Sequence, residues 1–167
     1  MGSCRARGAG TSGTGAIALL TDTGVLAATP LFRDLTDEQR KLVAFGARRR
    51  MLRAGDLLHQ EGRAAEGATV VLRGALALSL EDAEQGMAGP TSLLDELALV
   101  ARRPHSYTAR ALEEVAILPV DRTLFRRLIE EYPDIAERVR GRIADRLARL
   151  ADELDPIARR LGAADRG

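Results

Sequence analysis

The sequence predicts a mainly β fold with flanking helices: an antiparallel, jelly-roll-like β-roll followed by a long C-terminal helix. Three observations lead there. Short apolar runs alternate with Gly, Pro and Asp turn signals through the middle of the chain, about every eight to twelve residues, the rhythm of an antiparallel roll. Leu76, Leu78 and Leu80 alternate with Ala77 and Ser79, the period of a half-buried strand. Capped helical spacing returns only on either side of that region, around Thr36 and again after Asp121.

Length and composition bound the answer. With 167 residues and 18.0 kDa there is room for one domain and an added helix or tail. Apolar residues at 46% and charged residues at 29% fit a globular core and argue against wholesale disorder. Lys+Arg 25 against Asp+Glu 24 leaves a net charge of +1, unlike a dedicated nucleic-acid binder. No apolar run is long enough for a membrane span. A single cysteine, Cys4, excludes an internal disulfide and a Cys-rich zinc site. The early apolar stretch from Ala16 to Leu20 is short and soon meets Asp22, which makes a poor secretory signal, so a cytoplasmic protein is expected.

The elements follow in order. Residues 1–28 read as a flexible tail, with Gly, Ser and Thr concentrated at its start. Gly8, Gly10 and Gly13 spell G-x-G-x-x-G, but no strand precedes them, and the dinucleotide motif works only between a strand and a helix. Thr36 and Gln39 form a capping box that opens a helix whose apolar side is expected to carry Leu35, Leu42, Val43 and Phe45. Arg48, Arg49 and Arg50 read as a solvated run. Thr69–Leu72, Leu76–Leu80, Tyr107–Ala111 and Val115–Val120 read as strands, and Glu81–Gly86 and Gly89-Pro90 as turns. Asp121 caps a helix containing Leu124, Phe125, Leu128 and Ile129. Pro133 opens the last helix, where Ile143, Leu147, Leu150, Leu154, Ile157 and Leu161 follow a coiled-coil seam that Pro156 interrupts. That seam, Ile143, Leu147, Leu150 and Leu154 above all, predicts a homodimer through residues 134–167, after a roll over residues 29–133.

Enzyme motifs are missing. Lys41 follows Arg40, so there is no Walker A loop, and no serine sits in a G-x-S-x-G elbow. His59 and His105 are the only imidazoles, which excludes H-E-x-x-H and multi-histidine metal sites. His59-Gln60-Glu61 is a weak metal pattern and reads as exposed polar residues. Glu113-Glu114 and Glu130-Glu131 fall on turn and helix surfaces. No catalytic constellation, metal or cofactor is expected.

The order of elements resembles the cyclic-nucleotide-binding domain of the cAMP-receptor-protein (Crp/Fnr) superfamily, over about residues 29 to 150. The resemblance rests on Pro30-Leu31-Phe32-Arg33-Asp34-Leu35-Thr36, on Arg53-Ala54-Gly55-Asp56-Leu57-Leu58 with Glu61-Gly62, on Val70-Val71-Leu72-Arg73-Gly74, and on Leu118-Pro119-Val120-Asp121-Arg122 with Phe125 and Tyr132-Pro133. It implies a phosphate-binding cassette of the pattern F-G-E-[LI]-A-L followed by P-R-x-A, in which a helix start and an arginine face the cyclic phosphate and the glutamate meets the ribose. The corresponding residues here are Leu94, Asp95, Glu96, Leu97 and Ala98, then Arg103, His105, Ser106 and Tyr107. Glu96 matches the ribose ligand. Asp95 replaces the glycine, His105 the arginine, Tyr107 the small alanine, and Thr91 a second glycine upstream.

These departures have a magnitude. A carboxylate about 5 Å from a phosphate repels it by roughly 3 kcal/mol at an effective dielectric of about 20. Losing the bidentate arginine removes about 1.5–3 kcal/mol more. Together they amount to about three to four decades of affinity. Asp95 is therefore expected to act as an internal substitute for the phosphate, paired with His105, Arg103 or Arg102. Seventeen residues follow Leu150, too few for a winged helix-turn-helix, so no DNA binding is expected. The function expected is a non-enzymatic regulatory or sensor module with weak or lost cAMP and cGMP affinity, a homodimer that also accepts a protein partner. The alternatives are a working cAMP- or cGMP-binding regulatory protein and a ligand-free interaction or dimerisation domain. A small cupin-like enzyme is disfavoured by the missing metal cluster.

Overall fold

Alternating apolar positions become two facing antiparallel sheets. The computed structural model describes residues 21–145 and residue 148. Ten strands lie among the described residues: β1 (Arg50–Leu52), β2 (Leu57–His59), β3 (Ala64–Ala65), β4 (Gly67–Arg73), β5 (Leu76–Leu80), β6 (Ala83–Ala88), β7 (Leu93–Leu94), β8 (Arg103–Pro104), β9 (Thr108–Ala111) and β10 (Val115–Asp121). One sheet runs β1-β10-β4-β7, the other β2-β9-β5-β6, and β3 pairs with β8. The helices are α1 (residues 21–28), α2 (Asp37–Gly46), α3 (Arg122–Glu131) and α4 (residues 133–145), with a short 3-10 helix at Glu96–Leu99.

The first sheet is buried on both faces. On β4, Ala68, Val70 and Leu72 pack toward the helices while Val71 packs toward the second sheet. On β10, Ala116, Leu118 and Val120 take the helical side, and Val115 and Ile117 the inner side. Successive side chains of a strand point to opposite faces, so a strand covered on both sides must be apolar throughout. The helical layer brings Leu26 from α1, Val43 and Ala44 from α2, Phe125 and Leu128 from α3, and Ile135 and Val139 from α4 onto that sheet, with Phe32 wedged among them. Gly74 closes the β4–β5 turn at φ 83, where an added Cβ would stand 2.5 Å from the Glu114 carbonyl oxygen.

The caps behave as read from the sequence. Thr36 Oγ1 accepts from the Gln39 N–H at 3.3 Å, and Gln39 Oε1 accepts from the Thr36 N–H at 2.9 Å. Asp121 Oδ1 accepts from the Leu124 N–H at 2.7 Å and opens α3.

Four local readings are corrected. Residues 21–28, assigned to the tail, form α1: Leu26 is buried in the helical core, and Arg49 Nη1 reaches Asp22 Oδ1 at 3.2 Å. Burial raises the Asp22 carboxyl above its usual range, against the opposing pull of Arg49. In α2 the buried side is Gln39, Val43 and Ala44, whereas Leu42 is exposed and Phe45 is 81% exposed. Only Glu81 and Asp82 make the turn after β5, at positive φ, and Ala83–Ala88 is a strand. Ile143 packs against its own helical core. The G-x-G-x-x-G stretch and Leu147, Leu150 and Leu154 lie outside the described residues. Among the described residues, no helix is long and apolar enough to cross a membrane.

Candidate functional site

The cassette runs from the turn after β6 to the start of β9. β7 pairs with β4, Thr69 opposite Leu94, and delivers the chain to Asp95 at the edge of the first sheet. There the backbone turns left-handed: Asp95 has φ 56 and ψ 37, the conformation glycine adopts most freely. Thr91 does the same at φ 70. A β-branched residue in that region is strained. Both positions are those where the family pattern carries glycine, so the turns have kept their shape and changed their residues.

Asp95 precedes the 3-10 helix that carries Glu96, Leu97 and Ala98, with Ala98 fully buried. Arg122, read from the sequence only as part of the exit to the last helices, fixes the far end of that helix. Its guanidinium donates to the carbonyls of Ala98 at 2.8 Å, Ala65 at 2.9 Å and Ala101 at 3.2 Å. A cation suits the carbonyl end of a helix. With these bonds made, Arg122 works as a structural clamp on the wall of an open groove of about 920 Å³ beside the cassette.

Most of the cassette side chains converge. Asp95, Glu96, Leu97, Arg103, Ser106 and Tyr107 line a cavity of about 250 Å³, and Leu94 is buried beside it. Tyr107 occupies part of it, and its hydroxyl accepts from the Asp95 N–H at 3.3 Å. Arg103 donates to Ser106 Oγ at 3.1 Å.

Of the three partners expected for Asp95, His105 is the one it meets. His105 Nδ1 lies 2.7 Å from Asp95 Oδ2, with side-chain exposures of 14% and 5%. His59 joins them from the end of β2. Its ring stacks on His105 with centroids 3.9 Å apart and planes 8° from parallel, and its Nε2 stands 3.6 Å from Asp95 Oδ2. His59 is thus corrected from an exposed polar residue to a half-buried one, whose side chain is 7% exposed. The second cavity, about 260 Å³, is lined by His59 and His105 together. Burial pushes the His59 imidazole down to about 4; the Asp95 carboxylate pulls it up, and His105 adds to the lowering. His59 is therefore a neutral base at pH 7. Sequence alone offered one signal for it: the chain has two histidines, and both converge here.

Comparison with known proteins agrees with the architecture. The model of the cyclic nucleotide-binding domain matches residues 49–132. The N-terminal domain of a transcriptional regulator from Streptomyces coelicolor is 29% identical, with a TM-score of 0.70 over 77% of this chain and 95% of that one. The catabolite activator protein of Thermus thermophilus is 25% identical, with a TM-score of 0.67 over 78% of this chain and 63% of that one. Among curated proteins, a lysophospholipase of Pyricularia oryzae is 28% identical over 116 residues, 66% of this chain. The chain spans only 8% of that enzyme's length. With its two-sheet roll and cassette in place, and with these matches, the chain belongs to the cyclic nucleotide-binding domain family and shares the roll of the Crp/Fnr group.

Proposed function

We propose that this chain is a non-enzymatic regulatory module whose phosphate cradle is closed by its own carboxylate, so that cAMP and cGMP affinity is lost. The observation that carries this reading is the 2.7 Å hydrogen bond between Asp95 and His105, at the two positions where the family pattern has glycine and arginine. A negative group already fills the anion's place, and the residue in the cation's place is bound to it. An incoming phosphate would meet repulsion from Asp95 and have to break that bond, in a cavity Tyr107 has narrowed. Signal output would come from the roll moving against the last helix, and the seam beyond Ile143 would pair two copies.

Isothermal titration of the full chain with cAMP and with cGMP tests the reading. No saturable heat is expected up to millimolar nucleotide; a micromolar Kd for either would overturn it. Light scattering tests the pairing. The chain is expected to be a dimer that Leu147→Glu with Leu154→Glu converts to a monomer, and an unchanged mass would refute the seam.

A further inference from the structure

Both histidines of the chain converge on one buried carboxylate, and they come from separate segments. His59 ends β2, Asp95 follows β7, and His105 follows β8. One donor atom from each residue lies within 4.8 Å of the other two, and His59 Nε2 and His105 Nδ1 stand 3.6 and 2.7 Å from Asp95 Oδ2. Against the sequence reading, which excluded a multi-histidine metal site, we propose that these residues bind one first-row divalent transition-metal ion, with Zn²⁺ as the reference case.

The first argument is an orphan. His59 Nε2 is buried and has no hydrogen-bond partner. The nearest carboxylate oxygen, at 3.6 Å, is beyond hydrogen-bond reach. A buried polar atom left unsatisfied costs about 1–3 kcal/mol, so such an atom calls for a reason. A metal ion between the three donors would satisfy it.

The donor chemistry is the second argument. Two imidazole nitrogens and one carboxylate oxygen suit zinc and its first-row neighbours, whereas calcium and magnesium take oxygen ligands. One carboxylate charge leaves the ion partly uncompensated, which favours additional water or anionic ligands rather than a closed structural site.

The third argument is geometry. Ligands about 2.0–2.1 Å from a tetrahedral ion stand roughly 3.4 Å apart, so the widest pair must close by roughly 1.4 Å at most. The two rings, 8° from parallel, must swing out of their stack so that both in-plane lone pairs meet the ion, and the 2.7 Å Asp95–His105 pair must open. The backbone beneath is held: the His105 N–H donates to the Arg63 carbonyl at 2.8 Å, and its carbonyl accepts from the Gly62 N–H at 2.9 Å. Binding replaces the His105–Asp95 hydrogen bond, and the neutral His105 ligand then carries its ring proton on Nε2.

This inference rests on the closed-cassette reading, because it names a ligand for the same site. The test uses the full chain stripped by a chelator and titrated calorimetrically with Zn²⁺, with Co²⁺ absorption as a second readout. One ion per chain is expected to bind with submicromolar Kd, and Co²⁺ to show intensified d–d bands without a sulfur charge-transfer band. His59→Ala should weaken Zn²⁺ binding about 100-fold or more. Cys4→Ser should leave it unchanged. Circular dichroism melts establish that each variant is folded, and if His59→Ala is not, the native chain's stoichiometry and Co²⁺ spectrum decide. Absence of saturable binding, a folded His59→Ala that binds as before, a sulfur band, or loss with Cys4→Ser would each overturn the metal site. A parallel cAMP titration separates the two ideas: silence toward both ligands removes the metal site alone, whereas cAMP heat removes the closed cassette.

Discussion

Along β4 and β10 of the first sheet, side chains are buried alternately against the helices and against the second sheet, and no residue has positive φ. Between Gly89 and Tyr107 the chain is built differently. Two non-glycine residues, Thr91 and Asp95, hold left-handed backbone, and a polar cluster replaces an apolar core. The frame is held by burial, a non-directional force that tolerates many sequences. The cassette is held by a few directional bonds, the Asp95–His105 pair and the Arg122 clamp foremost, against local strain. Changes in the frame should therefore alter stability and spare ligand behaviour, whereas changes in the cassette should alter ligand behaviour more than stability.

Breaking the frame has the largest expected effect on stability. Leu118→Ala, at a fully buried position in the middle of β10, should cost about 3 kcal/mol in chemical denaturation. It should leave the response to nucleotides unchanged in the surviving folded fraction. Asp95→Asn comes next. Asparagine tolerates left-handed backbone and can still accept from His105 but lacks the charge, so weakening that bond should cost about 1 kcal/mol by the same measurement. A result within error of zero would mean the pair does not hold the cassette. Thr91→Gly should act in the opposite direction and stabilise by about 1 kcal/mol, a rise of about 2–4 °C in melting temperature, because it relieves a β-branched residue at positive φ. Phe45→Ser, on the open side of α2, should change stability by less than about 0.5 kcal/mol.

The same division governs what could be read without coordinates. The runs Thr69–Leu72 and Val115–Val120 declared their strands because burial on two faces leaves a near-continuous apolar signature. Thr36, Gln39 and Asp121 declared helix starts because capping is local. Ala83–Ala88 was hidden: Glu84, Gln85 and Met87 are exposed there, so no apolar alternation marks the strand. Residues 21–28 were hidden by Thr21, Thr23 and Gly24, poor helix formers whose helix is held instead by packing through Leu26. In the site, Asp95 and His105 could be paired because they share one stretch of chain. His59 could not, since its approach depends on β2 lying beside β9, with His59 opposite Ala109. Sheet register is a long-range property and leaves no local mark.

The measurement that reaches the centre of this account is calorimetry on the triple variant Asp95→Gly, His105→Arg, Tyr107→Ala. It removes the built-in anion, restores the cation and reopens the volume in one protein. The account predicts micromolar cAMP or cGMP binding, about three to four decades tighter than in the unaltered chain. A folded triple variant that binds no better than the unaltered chain would contradict it.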